Sequence, residues 1–158
     1  MPDPFTEASA RVLSRDAFDF VLDTELKRAV RAQNFLTLVV LETRREWEGL
    51  MLSADEGAVG ELAEIVGREV RATDPMGVDT RGRLAVLLLD ADFEHSARVV
   101  DRVMGRVDSY EFPTPLHIAV GAACYPTHAV DAPTLRRQAE SRPIVNWRGG
   151  PGERPERS

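Results

Sequence analysis

Lysine is almost absent from this chain. Its 158 residues include 20 basic ones, and Lys27 is the only lysine, which leaves 19 arginines. Cysteine is as scarce. Cys124 stands alone, which excludes an internal disulfide and a cysteine-built metal cluster. No apolar run approaches the roughly 20 residues that a membrane-spanning helix needs, so membrane insertion is not expected. The start, Met1-Pro2-Asp3-Pro4-Phe5, lacks the basic and apolar segments of a signal peptide. A soluble cytoplasmic chain is the expectation. Excess positive charge is missing too, because the formal net charge is -6. Binding to long nucleic acids depends on summed positive charge, so that class of partner is excluded. A small anionic ligand held by a few arginines is not. The bias of arginine over lysine has two readings: a GC-rich genome, or positions where a planar fork must grip phosphate or guanine.

What is present is an ordinary globular balance. Hydrophobic residues make up 43% and charged residues 29%, enough for one domain with its own core. Residues 1–10 read as a lead-in. Helical spacing of Phe18, Val21, Leu22, Leu26, Ala29 and Val30 predicts a helix from Asp16 to Gln33, stopped near Asn34. Phe35 to Leu41 is a continuous apolar run of strand length. Glu42 to Ala54 reads as polar and irregular. A second helix fits Asp55 to Ala72, with Val59, Leu62, Ala63, Val66 and Val70 inward, Ser53 or Asp55 as cap, and Pro75 ending it. Val78 to Leu89 predicts a hairpin turning near Arg81-Gly82. A third helix fits Glu94 to Val107, with Ala97, Val100, Val103, Met104 and Val107 inward. Leu116 to Cys124 reads as a strand, and Pro133 opens a short helix through Glu140. The tail from Arg148 is Gly, Pro and charge, which predicts disorder over 149–158. Strands alternating with helices indicate an α/β sandwich whose helices cover the sheet.

Three stretches carry a family resemblance. Leu13-Ser14-Arg15-Asp16-Ala17-Phe18 is similar to an Asn-Arg-Arg-x-Phe opening, with Ser14 for Asn. Arg71-Ala72-Thr73-Asp74 precedes the hairpin. Ile118-Ala119-Val120-Gly121-Ala122-Ala123-Cys124-Tyr125-Pro126 is similar to a Val-Ser-Ile-Gly-Val-Ala-x-Tyr-Pro strand, and Leu135 to Glu140 follows as a matching helix. In this order and spacing they resemble the GGDEF domains, the diguanylate cyclases of bacterial signalling, over about residues 7–148. The resemblance implies a nucleotide-cyclase, palm-like α/β fold: a central, mostly antiparallel sheet flanked by helices, here a GGDEF-like domain over 11–148.

The catalytic pattern implied by the family is not matched. In frame from Asp74, the signature falls on Thr80, Arg81, Gly82, Arg83 and Leu84. Two of those positions are glycines in active members, where the backbone approaches the phosphates of GTP, and acids there bind magnesium. Arg83 puts positive charge where a divalent ion should sit. At the end of the first strand Glu42 stands for the usual Asp and Arg44 replaces a second acid. The pair and turn that surround guanine have no counterpart among Trp47 to Asp55. The phosphate-binding lysine is replaced within Arg142-Pro143-Ile144-Val145-Asn146-Trp147. Two-metal phosphoryl chemistry requires ions and ligands together. The expectation is a degenerate member: no enzyme, no metal site, no cofactor.

One family feature is kept in frame. Active members often bind their product, cyclic di-GMP, at a second site with the motif Arg-x-x-Asp five residues before the signature. Arg71 and Asp74 occupy those positions, and Arg102 falls where a further arginine lies on the next helix. An arginine fork pairs with guanine O6 and N7 or with phosphate, and a carboxylate accepts from the guanine N–H groups. The pattern alone carries little weight, since composition predicts about one chance match and a second occurs at Arg98–Asp101. The three preset positions together carry it. Near a helix end, residues three apart would share a face. The expected function is an inactive cyclic di-GMP receptor, an effector in signal transduction whose ligand bridges to a protein partner or a second copy. The alternative is a non-nucleotide-binding interaction scaffold, its contact surface the hairpin tip and Glu42–Ala54.

Other residues read as background. His95, His117 and His128 have no metal-ligand spacing. Cys124 reads as a small core residue, and Ser141 lacks the glycine elbow of a hydrolase. Arg81 and Arg83 read as solvated charges at a turn, or else as contacts to an acidic partner. Trp47 and Trp147 either cap the core or mark a partner surface.

Overall fold

A computed structural model describes residues 11–54, 56–79 and 81–149. The 1–10 lead-in, Asp55, Thr80 and 150–158 lie outside the described residues.

A short strand, β1 (Val12–Leu13), enters helix α1 (Arg15–Ala32). Ser14 caps α1 by accepting from the Ala17 N–H, and Gln33 ends it in the left-handed conformation. Strand β2 (Leu36–Trp47) turns into β3 (Leu50–Ser53), then helix α2 (Glu56–Glu69). Strands β4 (Met76–Val78) and β5 (Arg83–Leu89) form the second hairpin. Helix α3 (Phe93–Asp108), capped by Asp92, leads to β6 (Leu116–Tyr125). Helix α4 (Ala132–Ser141), capped by Asp131 with proline in its first turn, leads to β7 (Pro143–Gly149).

The seven strands form one sheet in the order β1-β4-β5-β2-β6-β7, with β3 paired to β2. Only β1 and β4 run parallel; the other pairs are antiparallel. Strand β2 is the spine, flanked by β5 and β6 along most of its length. Successive side chains point to opposite faces, and both faces are apolar, which is why the β2 run shows no alternation. Leu36, Leu38 and Val40 pack with Phe18, Leu22 and Leu26 of α1 and with Leu135 and Ala139 of α4. Val39 and Leu41 pack with α2 and α3 on the other side. The architecture is therefore α1/α4, sheet, α2/α3, and the mostly antiparallel α/β reading holds.

Gly121 explains part of the sequence pattern on β6. A Cβ there would overlap the carbonyl of Ala139 and come within 3.0 Å of the Arg142 carbonyl. Only glycine lets α4 cross the strand this closely.

Several boundaries differ from the sequence reading. The Glu42–Ala54 segment is an extended hairpin, turned by Glu48 (φ 48°) and Gly49 (φ 79°), the two positive angles of a tight two-residue turn. Its polar composition misled because this end stands clear of the helices and has no core to fill. Helix α2 stops at Glu69, well before Pro75. Arg142 to Trp147 is largely strand, and Arg148 and Gly149 continue it, so the tail does not begin there. Val21 and Ala97 are only partly buried and Val30 is exposed; Ser96 and Val99 face the core instead. The two tryptophans divide. Trp147 packs on the core edge-on to Phe112, while Trp47 is 54% exposed.

Candidate functional site

Two regions of charged residues emerge. The first lies over the signature hairpin. Glu42 on β2 and Arg83 on β5 are direct cross-strand partners. Arg83 Nε lies 3.6 Å from Glu42 Oε2, and its Nη1 lies 3.7 Å from Glu140 Oε2 on α4. All three side chains are 21% exposed. Glu140 also takes Arg136 at 3.4 Å, and Arg136 pairs with Asp19 of α1. Asp19 faces Arg15 at 3.8 Å, and Arg15 lies 3.7 Å from Asp79 at the hairpin turn. Signs alternate along the whole chain of contacts. The expectation of a solvated Arg83 is thus corrected: α4 covers this end of the sheet and encloses the side chain. Arg81 is exposed, as expected, and its backbone N–H donates to Asp79 Oδ1 at 2.8 Å. Gly82 takes a positive φ of 74° and Leu84 is buried in the core.

These residues do not fit a divalent ion. Arg83 already supplies a fixed positive charge to both carboxylates, and a metal would have to displace it. Among the described residues, no three His, Cys, Asp or Glu side chains gather as a metal site. A cavity of about 580 Å³ opens beside the hairpin turn. Its walls are mainly apolar (Val12, Val59, Ala63 and Val78 among them), with Ser14, Arg15, Glu56 and Asp79 as polar lining.

The second region holds the three predicted ligand residues. Arg71 and Asp74 do not share a helical face, because α2 has already ended. They close a turn. The Asp74 N–H donates to the Arg71 carbonyl at 2.9 Å, and the Arg71 N–H donates to Asp74 Oδ2 at 3.0 Å. Asp74 Oδ1 accepts from the Leu89 N–H at 3.1 Å, which ties the turn to the end of β5. Asp74 is buried, only 3% exposed. Its carboxylate braces the backbone in this conformation and is not presented to a guanine edge. The Arg71 side chain is 59% exposed; its guanidinium lies 3.6 Å from Asp74 Oδ2 and donates to the Leu89 carbonyl. Arg102, on α3, donates to the Glu69 carbonyl at 3.2 Å, and its side chain is 55% exposed. Arg71 lies in the segment that follows α2, and Arg102 of α3 hydrogen-bonds Glu69, two residues before it. The chance match at Arg98 is a solvated pair with Glu94.

Three participants were missed in the sequence. Glu69 bridges Arg102 and Arg106. Arg106 sits one turn after Arg102, and that i, i+4 spacing was the available signal. Arg11 donates to the carbonyls of Gly67 (3.0 Å), Arg71 (2.7 Å) and Asp74 (3.1 Å), a role that no local pattern announces. Elsewhere, Cys124 is a buried core residue, as read, and His128 Nδ1 accepts from its N–H at 2.9 Å. His117 lies on β6 facing Glu46. No helix of the described residues is long and apolar enough to cross a membrane.

Neither a family model nor a curated protein matches the sequence. Solved structures do match the fold. A DGC protein from Thermotoga maritima is similar with a TM-score of 0.71 at 17% identity, over 84% of this chain and 96% of that one. The isolated GGDEF domain of TpbB (YfiN) from Pseudomonas aeruginosa gives 0.69 at 19%, over 82% and 80%. The GGDEF domain of DgcB from Caulobacter crescentus, in complex with c-di-GMP, gives 0.65 at 15%, over 82% and 80%. The chain has the GGDEF domain fold.

Proposed function

We propose that this domain is a catalytically inactive, cytoplasmic signalling module that binds cyclic di-GMP on the face formed by Arg71 and Arg102. The observation that carries the reading is that Arg102 is held on Glu69, two residues before Arg71, with both arginine side chains more than half exposed. A planar fork suits either guanine O6 and N7 or a phosphate. Asp74 contributes by holding the turn that presents Arg71. The ligand complex of DgcB supports the choice of cyclic di-GMP for this fold. Inactivity rests on Gly82, which stands at the metal-binding acidic position of the resembling family, and on Arg83, which puts positive charge in place of the next acid. The module then acts by binding, with no magnesium or other cofactor, and the bound ligand bridges it to a protein partner or a second copy.

Calorimetry with cyclic di-GMP tests this. Wild type should bind, and Arg71→Ala should weaken binding roughly tenfold or more, the scale of a charge-assisted fork. No heat from wild type at high micromolar ligand sinks the receptor reading. Magnesium-dependent turnover of GTP overturns the inactive one.

A second reading, an interaction scaffold, is favoured by the β2–β3 hairpin. Trp47 and Leu50 are direct cross-strand partners at its tip, 54% and 58% exposed, and Met51 beside them is 43% exposed. Self-association or partner binding lost in Trp47→Ala but kept in Arg71→Ala would select it.

A further inference from the structure

We propose that Glu69 is a built-in competitor for the ligand of the arginine face, and that Arg106 is a further ligand contact which Glu69 masks. The identity of the ligand rests on the cyclic di-GMP reading above; the masking rests on geometry alone. Glu69 is the last residue of α2, and its side chain is only 15% exposed. Its two carboxylate oxygens are divided between two arginines of α3. Oε1 lies 3.0 Å from Arg106 Nε, and Oε2 lies 3.6 Å from Arg102 Nε. The arginines themselves are open, 55% exposed for Arg102 and 72% for Arg106. They are four residues apart on one helix and so sit on one side of it.

A carboxylate that takes one arginine on each oxygen does what a phosphodiester does with its two charged oxygens. The anion that occupies the pair is therefore part of the protein. An incoming phosphate has to displace it or share the forks with it, and sharing places like charges together. The surrounding charge favours displacement. Asp74 is committed to backbone N–H groups and to Arg71, which leaves Glu69 as the acid that pairs with Arg102 and Arg106. A cyclic dinucleotide brings two phosphates where Glu69 offers one charge. The pair holds the site in order without ligand and sets a threshold that a weakly charged ligand does not cross.

Glu69→Gln keeps size and removes the charge. The expected result is cyclic di-GMP binding up to about fivefold tighter than wild type, the scale of one exposed charge pair. Arg106→Ala in the Glu69→Gln background should cancel that gain. Glu69→Ala, measured in parallel, covers the case in which the glutamine amide accepts from the same arginines. Equal affinity of wild type and both Glu69 variants overturns the proposal while leaving the receptor reading intact. If none of them binds cyclic di-GMP, the receptor reading falls, and inorganic pyrophosphate decides on masking. Arginine Nε–H signals of Arg102 and Arg106 that respond at lower pyrophosphate in Glu69→Gln than in wild type support it; identical titrations overturn it.

Discussion

The hairpin site and the arginine face are built from the same two residue types turned inside out. At the hairpin, one arginine is enclosed between two glutamates, and all three side chains are 21% exposed. At the other face, one glutamate at 15% exposure is enclosed by two arginines at 55% and 72%. An enclosed cation is spent on its partners. An enclosed carboxylate leaves the outer sides of its arginines facing water. Identical ion pairs therefore give opposite outcomes: the first closes a position to positive ligands, and the second leaves exposed arginines over a carboxylate that a negative ligand must displace. Net charge shows neither, because it sums over both.

The comparison can be broken most severely at Gly121. Gly121→Ala puts a methyl group into the carbonyl of Ala139. Helix α4 must move, and Glu140 and Arg136 go with it. Urea unfolding should show a loss of about 3 kcal/mol, the upper range for overpacking. Next is Asp74→Ala, which leaves the N–H groups of Arg71 and Leu89 without an acceptor. A stability loss of about 2 kcal/mol is expected, in ligand-free protein. No loss would mean that the carboxylate is held in reserve for ligand rather than for the turn. Third, Arg83→Ala takes from Glu42 and Glu140 the cation they share, leaving them Arg44 and Arg136, and should cost about 1–2 kcal/mol, less than a fully buried pair because these groups still meet water. Arg102→Ala should cost under about 0.5 kcal/mol and yet weaken cyclic di-GMP binding. Equal costs for the two would remove the contrast between the sites.

The smallest effect is one of pH. Asp131 caps α4, and the Thr134 N–H and hydroxyl donate to its carboxylate at 2.9 and 3.0 Å. The Thr134 backbone hydrogen bond, first, holds its pKa below the ordinary carboxylate value. A depressed folded pKa adds stability above the unfolded pKa and loses it as pH falls through the folded one. The melting temperature of wild type should exceed that of Asp131→Ala by a constant amount at neutral pH. The gap should close as pH drops below about 4, the ordinary carboxylate value.

The order of helices and central strands was legible because burial imposes a period on the sequence. Phe18, Leu22 and Leu26 repeat at helical spacing since one face of α1 meets the sheet. The β2–β3 hairpin and β7 were not legible, because much of each stands at a margin where burial imposes nothing. Arg71, Asp74 and Arg102 were singled out from a family frame, but helical spacing put Arg71 and Asp74 on a helical face where the structure has a turn. The turn that joins Arg71 to Asp74 depends on the Leu89 N–H, fifteen residues away. Glu140 opposite Arg83 was hidden for the same reason: the pairing needs α4 to cross β6, and only Gly121 hints at that crossing.

Arg11 gives the arginine face a handle. Its single guanidinium holds three carbonyls, those of Gly67, Arg71 and Asp74. The backbone at residue 11 and the turn carrying Arg71 are therefore tied together through one side chain. Tension applied to the chain at that point reaches the turn through three bonds at once, and a ligand that stiffens the turn resists the same tension. Linkage makes the two effects equal in size.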